Sequence, residues 1–312
     1  MPRSNIKVIV FKNFINDYFP FKFNIPNWYT INFDDSLKDS ADVFFQVNVK
    51  KIKTNNTQQY DYIINSKKPK LVCESNLFRK NIKQISDLEN YYYRLGWDHF
   101  LRQGNFNNTN SPPDRWNKIK KIQKLELKDW KTEQQRGDSI LLILQKGGDS
   151  TLNKMYEEYE TYYNWIDKTI ASIRRYTDRP IIIRPHVQKA KVPFKQFVSD
   201  KNKVSISKVF ENRTIYEGGE SLEHDFKKAW AVVGYNSNTL VESTLEGIPT
   251  FPLSNESIIW DISNKDKLVN IENPNLNISR LQWCYDAGYI IWNTNEINNG
   301  TAWDHLKEVY YD

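Results

Sequence analysis

Only two cysteines, Cys73 and Cys284, occur in the 312 residues, far apart and each in an apolar context. Such spacing argues against a disulfide framework or a cysteine-based metal site and suits a reducing cytoplasm. Long apolar runs are also missing: none reaches the ~18–20 residues that a bilayer span needs, and the opening "MPRSNIKVIVFKNF" has no signal-like apolar core. A soluble, cytoplasmic protein is expected, neither exported nor stably inserted in a membrane. The spacing G-x-x-x-x-G-K-[ST] of a P-loop is absent, as is the G-x-G-x-x-G of a dinucleotide site. Helix-turn-helix, zinc-finger and RRM signatures are absent too, and neither an internal repeat nor a low-complexity tract is visible.

What the chain does have is core-forming residues, 39% hydrophobic and 14% aromatic, enough for two medium domains. Apolar strand-like runs recur at "IKVIVF" (6–11), "WYTINF" (28–33), "DVFFQV" (42–47), "YDYIIN" (60–65) and "KLVCE" (70–74). Others follow at "SILLILQ" (139–145), "PIIIRPH" (180–186) and "WAVVGY" (230–235). Several are unbroken rather than alternating, which predicts parallel strands covered on both faces. A helix-length stretch, 152–176, lies between two of the later runs, so the second half reads as repeated strand–helix–strand units of a doubly wound α/β fold.

A boundary is expected near "KTEQQRGDS" (131–139). Residues 1–137 hold 24 Lys and Arg against 14 Asp and Glu, net +10; the remainder holds 20 against 24, net −4. Lysines cluster at "KKIK" (50–53), "KKPK" (67–70) and "KIKKIQKLELKDWK" (118–131). A polyanionic partner for the first half is one reading of this asymmetry, and a solvated lysine-rich surface is the other.

The passage "WAVVGYNSNTLVESTLEGIPTF" (230–251) carries the most chemistry. A buried strand runs into Asn236, Ser237, Asn238 and Thr239, which favour turns and helix N-caps. A short helix should follow to Glu246, stopped by Gly247 and Pro249. Free N–H groups at such a helix start suit an anion, phosphate above all. Glu242, one turn in, is placed to accept the hydroxyls of a ribose. The same local pattern also describes an ordinary capped surface helix. Two other strand ends add to it: Arg184 and His186 offer a guanidinium fork and an imidazole donor, and Lys146, Gly147 and Gly148 let backbone amides approach a ligand closely. Strand ends of open α/β sheets are where ligands bind.

Taken in order, "ILLILQKGGDS", "IIIRPH" and "SLEHDFKKAWAVVGYNSNTLVESTLEGIPTF" resemble the donor domain of GT-B glycosyltransferases, closest to the capsule and lipopolysaccharide type, over roughly 138–260. The resemblance implies two Rossmann-like domains facing a cleft: 1–137 binding the acceptor, 138–295 the nucleotide sugar, and 296–312 a helix crossing back. It implies phosphate contacts from Arg184, His186, Ser237, Asn238 and Thr239 and a ribose contact from Glu242, with a nucleotide sugar such as UDP-glucose as co-substrate and no metal. Pro185 precedes His186 instead of following it, and asparagines flank Ser237, which are departures from the family pattern. The reading turns on Arg184 facing the strand-end mouth rather than a packed interior.

Inverting transfer needs a general base on the acceptor side. Glu74, at a strand end, and Asp98, crowded by aromatics that would desolvate it, are the two candidates ahead of Asp17 and Asp114. The basic first half, with Tyr91, Tyr92, Tyr93 and Trp97 to stack on a base, points to DNA as the acceptor, in the manner of phage enzymes that glucosylate 5-hydroxymethylcytosine. A capsule or lipopolysaccharide acceptor is the alternative, with "RWNKIKKIQKLELKDWK" as a basic amphipathic helix, and a non-catalytic nucleic-acid-binding protein is a third. A monomer is expected.

Overall fold

The computed structural model describes residues 5–51, 57–78, 91–186, 194–207 and 221–311, in two compact units: residues 1–125 with 280–312, and residues 126–279. The chain therefore leaves the first unit at Leu125 and re-enters it at Arg280, where the sequence suggested divisions at 137 and 295.

The first unit begins with strands β1 (Val8–Phe11), β2 (Trp28–Ile31), β3 (Val43–Val47), β4 (Lys70–Ser75) and β5 (Tyr92–Trp97). The second contains β6 (Ser139–Ile143), β7 (Ile181–Arg184), β8 (Val204–Ile206), β9 (Ala229–Gly234) and β10 (Thr250–Pro252). On its return the chain adds β11 (Ile291–Asn293) to the first sheet, whose order is β11-β5-β4-β3-β1-β2. β1 to β4 run parallel, while β5 is antiparallel to both β4 and β11. The second sheet, β10-β9-β6-β7-β8, is parallel throughout. Every residue of β6 and β9 is buried, which is why their runs read as unbroken apolar sequence.

The helices are α1 (Gln58–Ser66), α2 (Asp114–Gln123), α3 (Asn153–Tyr159), α4 (Tyr162–Arg174), α5 (Leu222–Lys228), α6 (Thr239–Leu245), α7 (Leu281–Gly288), α8 (Thr294–Asn298) and α9 (Thr301–Tyr311). Three expectations are corrected here. "YDYIIN" is a helix, α1, not a strand; Ile63 alone in it is fully buried, so one stripe rather than alternate residues faces the core. The 152–176 stretch is two helices, because Glu160 adopts φ 61° and Thr161 then caps α4, its hydroxyl accepting from the Asn164 N–H at 3.1 Å. The basic segment 115–131 is not one amphipathic helix. α2 stops where Lys124 turns left-handed, its apolar face (Trp116, Ile119) packs on α7, and the segment then passes into the second unit. Of the "KKIK" cluster, Ile52 and Lys53 lie outside the described residues.

The first core is unusually aromatic. Trp97 is fully buried, its Nε1–H donating to the Leu306 carbonyl of α9 at 2.7 Å, and Trp28 meets Trp303 edge-on at 5.6 Å. Each such ring contributes roughly 1.5–3 kcal/mol by leaving water. Cys73 and Cys284 are both buried free thiols, and burial pushes Cys284 up to about 12. No helix among the described residues is long and apolar enough to cross a membrane.

Candidate functional site

In the second sheet, Ile143 pairs with Arg184 on one side and with Gly234 on the other, and Gly234 pairs with Pro252. Four adjacent parallel strands thus end level, and their exit loops emerge side by side at the carboxyl edge of the sheet. Lys146, Gly147, Gly148, His186, Asn236, Ser237, Asn238 and Thr239 all lie on three of these exits. The fourth exit, residues 253–257 after β10, was missed in the sequence, although "PLSNES" repeats the strand-then-small-polar pattern of "GYNSNT".

A side-chain lattice ties the exits together. Gln145 donates through Nε2 to Asn236 Oδ1 at 2.8 Å and to Thr151 Oγ1 at 2.9 Å. The Asn236 backbone N–H donates back to Gln145 Oε1 at 3.1 Å, and its Nδ2 donates to the Thr151 carbonyl at 2.8 Å. Asn236 is therefore a buried strut between the β6 and β9 exits, its Oδ1 and Nδ2 each hydrogen-bonded within the protein. Gln145 and Thr151 are the partners that local sequence did not reveal.

Behind the β6 exit stand two tyrosines. Tyr162 donates to the Gln145 carbonyl at 2.6 Å, and burial pushes its phenol far above the usual range. Gly148, at φ +79° with open space where a side chain would stand, donates its N–H to Tyr156 Oη at 2.9 Å. That amide faces the tyrosine, not an open mouth. Lys146 is half-buried at the turn, its carbonyl accepting from Asp149.

The start of α6 also differs from expectation. Thr239 N–H donates to Ser237 Oγ, Leu240 N–H to the Ser237 carbonyl, and the Val241 and Glu242 N–H groups to the Asn238 carbonyl. With those donors satisfied locally and only seven residues in the helix, the backbone offers an anion little there, and what Ser237, Asn238, Thr239 and Glu242 present is side-chain chemistry. All four are half-buried. The stop at Gly247 is as read from sequence: φ is +74°, and a Cβ there would lie 1.9 Å from the Asp129 carbonyl.

Arg184 departs most sharply. It is 9% exposed, and its Nη1 donates to Asp225 of α5 and to Ser207 Oγ at 3.3 Å; Ser207 donates in turn to Asp225 at 2.7 Å. Asp225 has no solvent exposure, and a carboxylate so placed requires a counter-charge. The guanidinium is thus turned into the interior, and the expected bidentate phosphate grip is replaced by a buried ion pair. His186 stands half-buried two residues beyond β7, and the chain after it lies outside the described residues.

In the first unit the two carboxylate candidates separate. Glu74 is half-buried near the carboxyl end of β4, accepting the Ser75 N–H at 2.6 Å. Asp98 lies at the opposite edge: its N–H donates to the carbonyl of Lys70, the first residue of β4. Its side chain is 49% exposed, 3.4 Å from Lys70 Nζ and accepting from Tyr310 Oη at 2.9 Å. The aromatics expected to desolvate it face the core instead. Tyr92, Tyr93 and Trp97 are buried in β5, and Tyr91 packs half-buried against Tyr93, so none of the four is displayed to stack on a nucleobase. Beside Asp98, burial drives His99 down to about 4, and its Nδ1 accepts the Leu101 N–H at 3.0 Å.

No protein-family model matches the chain, and no curated protein matches it in sequence. Among solved structures, it is similar to a β-Kdo 2,4-transferase, KpsC of Thermosulfurimonas dismutans, with a TM-score of 0.52 at 11% identity over 93% of this chain and 92% of that one. The β-Kdo 2,7-transferase KpsC of the same organism gives a TM-score of 0.46 at 11% identity over 97% of this chain and 99% of that one. The first likeness, with two largely parallel sheets in separate units, shows the fold: two Rossmann-like α/β units in one chain.

Proposed function

We propose that this protein is a nucleotide-sugar-dependent glycosyltransferase whose acceptor is a saccharide of capsule or lipopolysaccharide type. The carrying observation is the level ending of β7, β6, β9 and β10, which gathers Lys146, His186, Ser237, Asn238, Thr239 and Glu242 at one carboxyl edge. Such an edge is where open parallel sheets take nucleotides, and hydroxyl, amide and cationic side chains there suit a sugar phosphate. The fold shared with a Kdo transferase supports the same reading and favours a saccharide acceptor over DNA.

In this reading Lys146 and His186 stabilise charge on the departing phosphate, and Glu242 accepts ribose hydroxyls. Arg184, turned inward, makes no donor contact, contrary to the expectation on which the sequence reading turned, so donor binding rests on the remaining residues of the edge; by anchoring Asp225 it ties the β7 exit to α5. Glu74 is the general base, because it stands near the carboxyl edge of its own parallel strands while Asp98 stands at the far one.

The test is nucleotide release from a panel of UDP- and CMP-activated sugars, with short or lipid-linked saccharides and 5-hydroxymethylcytosine DNA as alternative acceptors. Stimulation by saccharides is expected. Stimulation by DNA alone would reinstate DNA as acceptor, and no release with any pair would overturn the enzymatic reading.

A further inference from the structure

The loop after β10 has no part in the roles assigned above, yet it is built into the same edge. Leu253 N–H donates to the Gly234 carbonyl at 2.8 Å and Ser254 N–H to the Tyr235 carbonyl at 3.2 Å, so the loop is clamped along the β9 exit. Glu256 N–H donates to Ser254 Oγ at 3.2 Å, which tightens the turn. From α3, Lys154 reaches across to donate to Asn255 Oδ1 at 2.9 Å. Two elements from distant parts of the chain thereby bring an ammonium, a carboxamide and a carboxyl together beside the β6 and β9 exits.

We infer that Lys154, Asn255 and Glu256 form the part of the donor site that reads the sugar, binding hydroxyls of the polyol portion of a nucleotide sugar. The inference rests on the glycosyltransferase reading and deepens it. Each sugar hydroxyl donates and accepts at one oxygen, so vicinal hydroxyls pair best with alternating protein donors and acceptors. Lys154 and the Asn255 Nδ2 amide supply donors; Glu256 supplies an acceptor. A phosphate would be matched by cations without a carboxylate, whereas Glu256 here has both Lys154 and Glu157 within electrostatic reach. One ammonium against two carboxylates leaves this spot net negative, which disfavours an anion and suits a neutral polyol. Burial, only partly offset by Lys154, lifts the Glu256 carboxyl above its ordinary range. Lys154 and Asn255 are exposed and Glu256 half-buried, which leaves the set accessible while fixing its carboxyl.

The experiment is calorimetric titration of the full chain with matched pairs: UDP against UDP-glucose and UDP-galactose, and CMP against a CMP-activated sugar. Asn255→Ala, Glu256→Ala and the shape-preserving Glu256→Gln are compared with wild type, each checked for an unchanged circular dichroism spectrum. For the pair that wild type binds, the Glu256 variants are expected to lose about ten- to hundredfold affinity for the nucleotide sugar, the size of a lost charged hydrogen bond, and Asn255→Ala about three- to tenfold, the size of a neutral one, while affinity for the free nucleotide stays within about twofold. Parallel loss of both ligands, or loss of neither, overturns the inference and leaves the glycosyltransferase reading standing. Wild-type protein that binds no nucleotide and no nucleotide sugar overturns that reading, and this inference with it.

Discussion

Arg184, the last residue of β7, is ion-paired to Asp225 of α5, a carboxylate with no solvent exposure whose second oxygen, Oδ1, is buried without a hydrogen-bond partner. Removing one member leaves the other charged and desolvated. Asp225→Ala is expected to lower the unfolding free energy by about 3–5 kcal/mol, whereas the double replacement Arg184→Met with Asp225→Leu loses far less. Urea unfolding of the three proteins checks this. A single variant as stable as wild type would mean that the pair is not the anchor of the β7 exit.

Asn236 holds the β6 and β9 exits through Gln145 and Thr151. Asn236→Ala leaves the half-buried Gln145 amide with Thr151 Oγ1 but without Asn236, and the Thr151 carbonyl without the Asn236 amide, and is expected to cost about 1–3 kcal/mol. Affinity for the nucleotide part of the donor should fall with it, because the exits lose their common strut. Thermal unfolding with and without nucleotide measures both effects; a destabilised protein with undiminished nucleotide binding would remove Asn236 from the site.

Glu74 and Asp98 make opposite predictions. Glu74→Gln keeps the shape of the side chain and removes the base, so turnover with a saccharide acceptor should fall by about 10²–10⁴-fold while donor affinity is retained. Asp98→Asn should leave turnover within about twofold and affect at most the exposed contacts to Lys70 and Tyr310, which are worth about 0–1 kcal/mol. Steady-state kinetics on the two variants decides between them, and equal losses would contradict the assignment.

His99 predicts an acid sensitivity. Its folded-state value, about 4, lies below the ordinary 6.5, because burial and the nearby Arg94 and Lys70 disfavour the imidazolium. The unfolded chain therefore binds the proton more readily, and this residue's contribution to stability is present above pH 6.5 and lost as the pH falls from there toward 4. His99→Gln should flatten the decline in melting temperature across that interval, measured at constant ionic strength. An unchanged slope would place the acid sensitivity elsewhere.

Much of the second unit was legible because its signals are local. Unbroken apolar runs mark β6, β7 and β9, Gly247 marks the end of α6, and adjacent parallel strands put their exits on one edge by topology alone. The fourth exit escaped because β10 is three residues long, too short for periodicity to register.

The sequence by itself determined a two-unit α/β chain with polar strand exits, since burial of strands on both faces demands continuous apolar stretches and turns demand small polar residues. Tertiary structure alone decided which charges are free to meet a ligand. Arg184 looks like a phosphate clamp until Asp225, 41 residues later, is folded against it. Tyr92, Tyr93 and Trp97 look like a stacking surface until β5 is inserted between β4 and β11 and turns them into the core. Asp98 looks desolvated until the antiparallel pairing of β5 carries it to the exposed, opposite edge of the sheet. In each case the outcome depends on what stands across the fold from a side chain, a long-range pairing of charge and burial that neighbours in sequence do not encode.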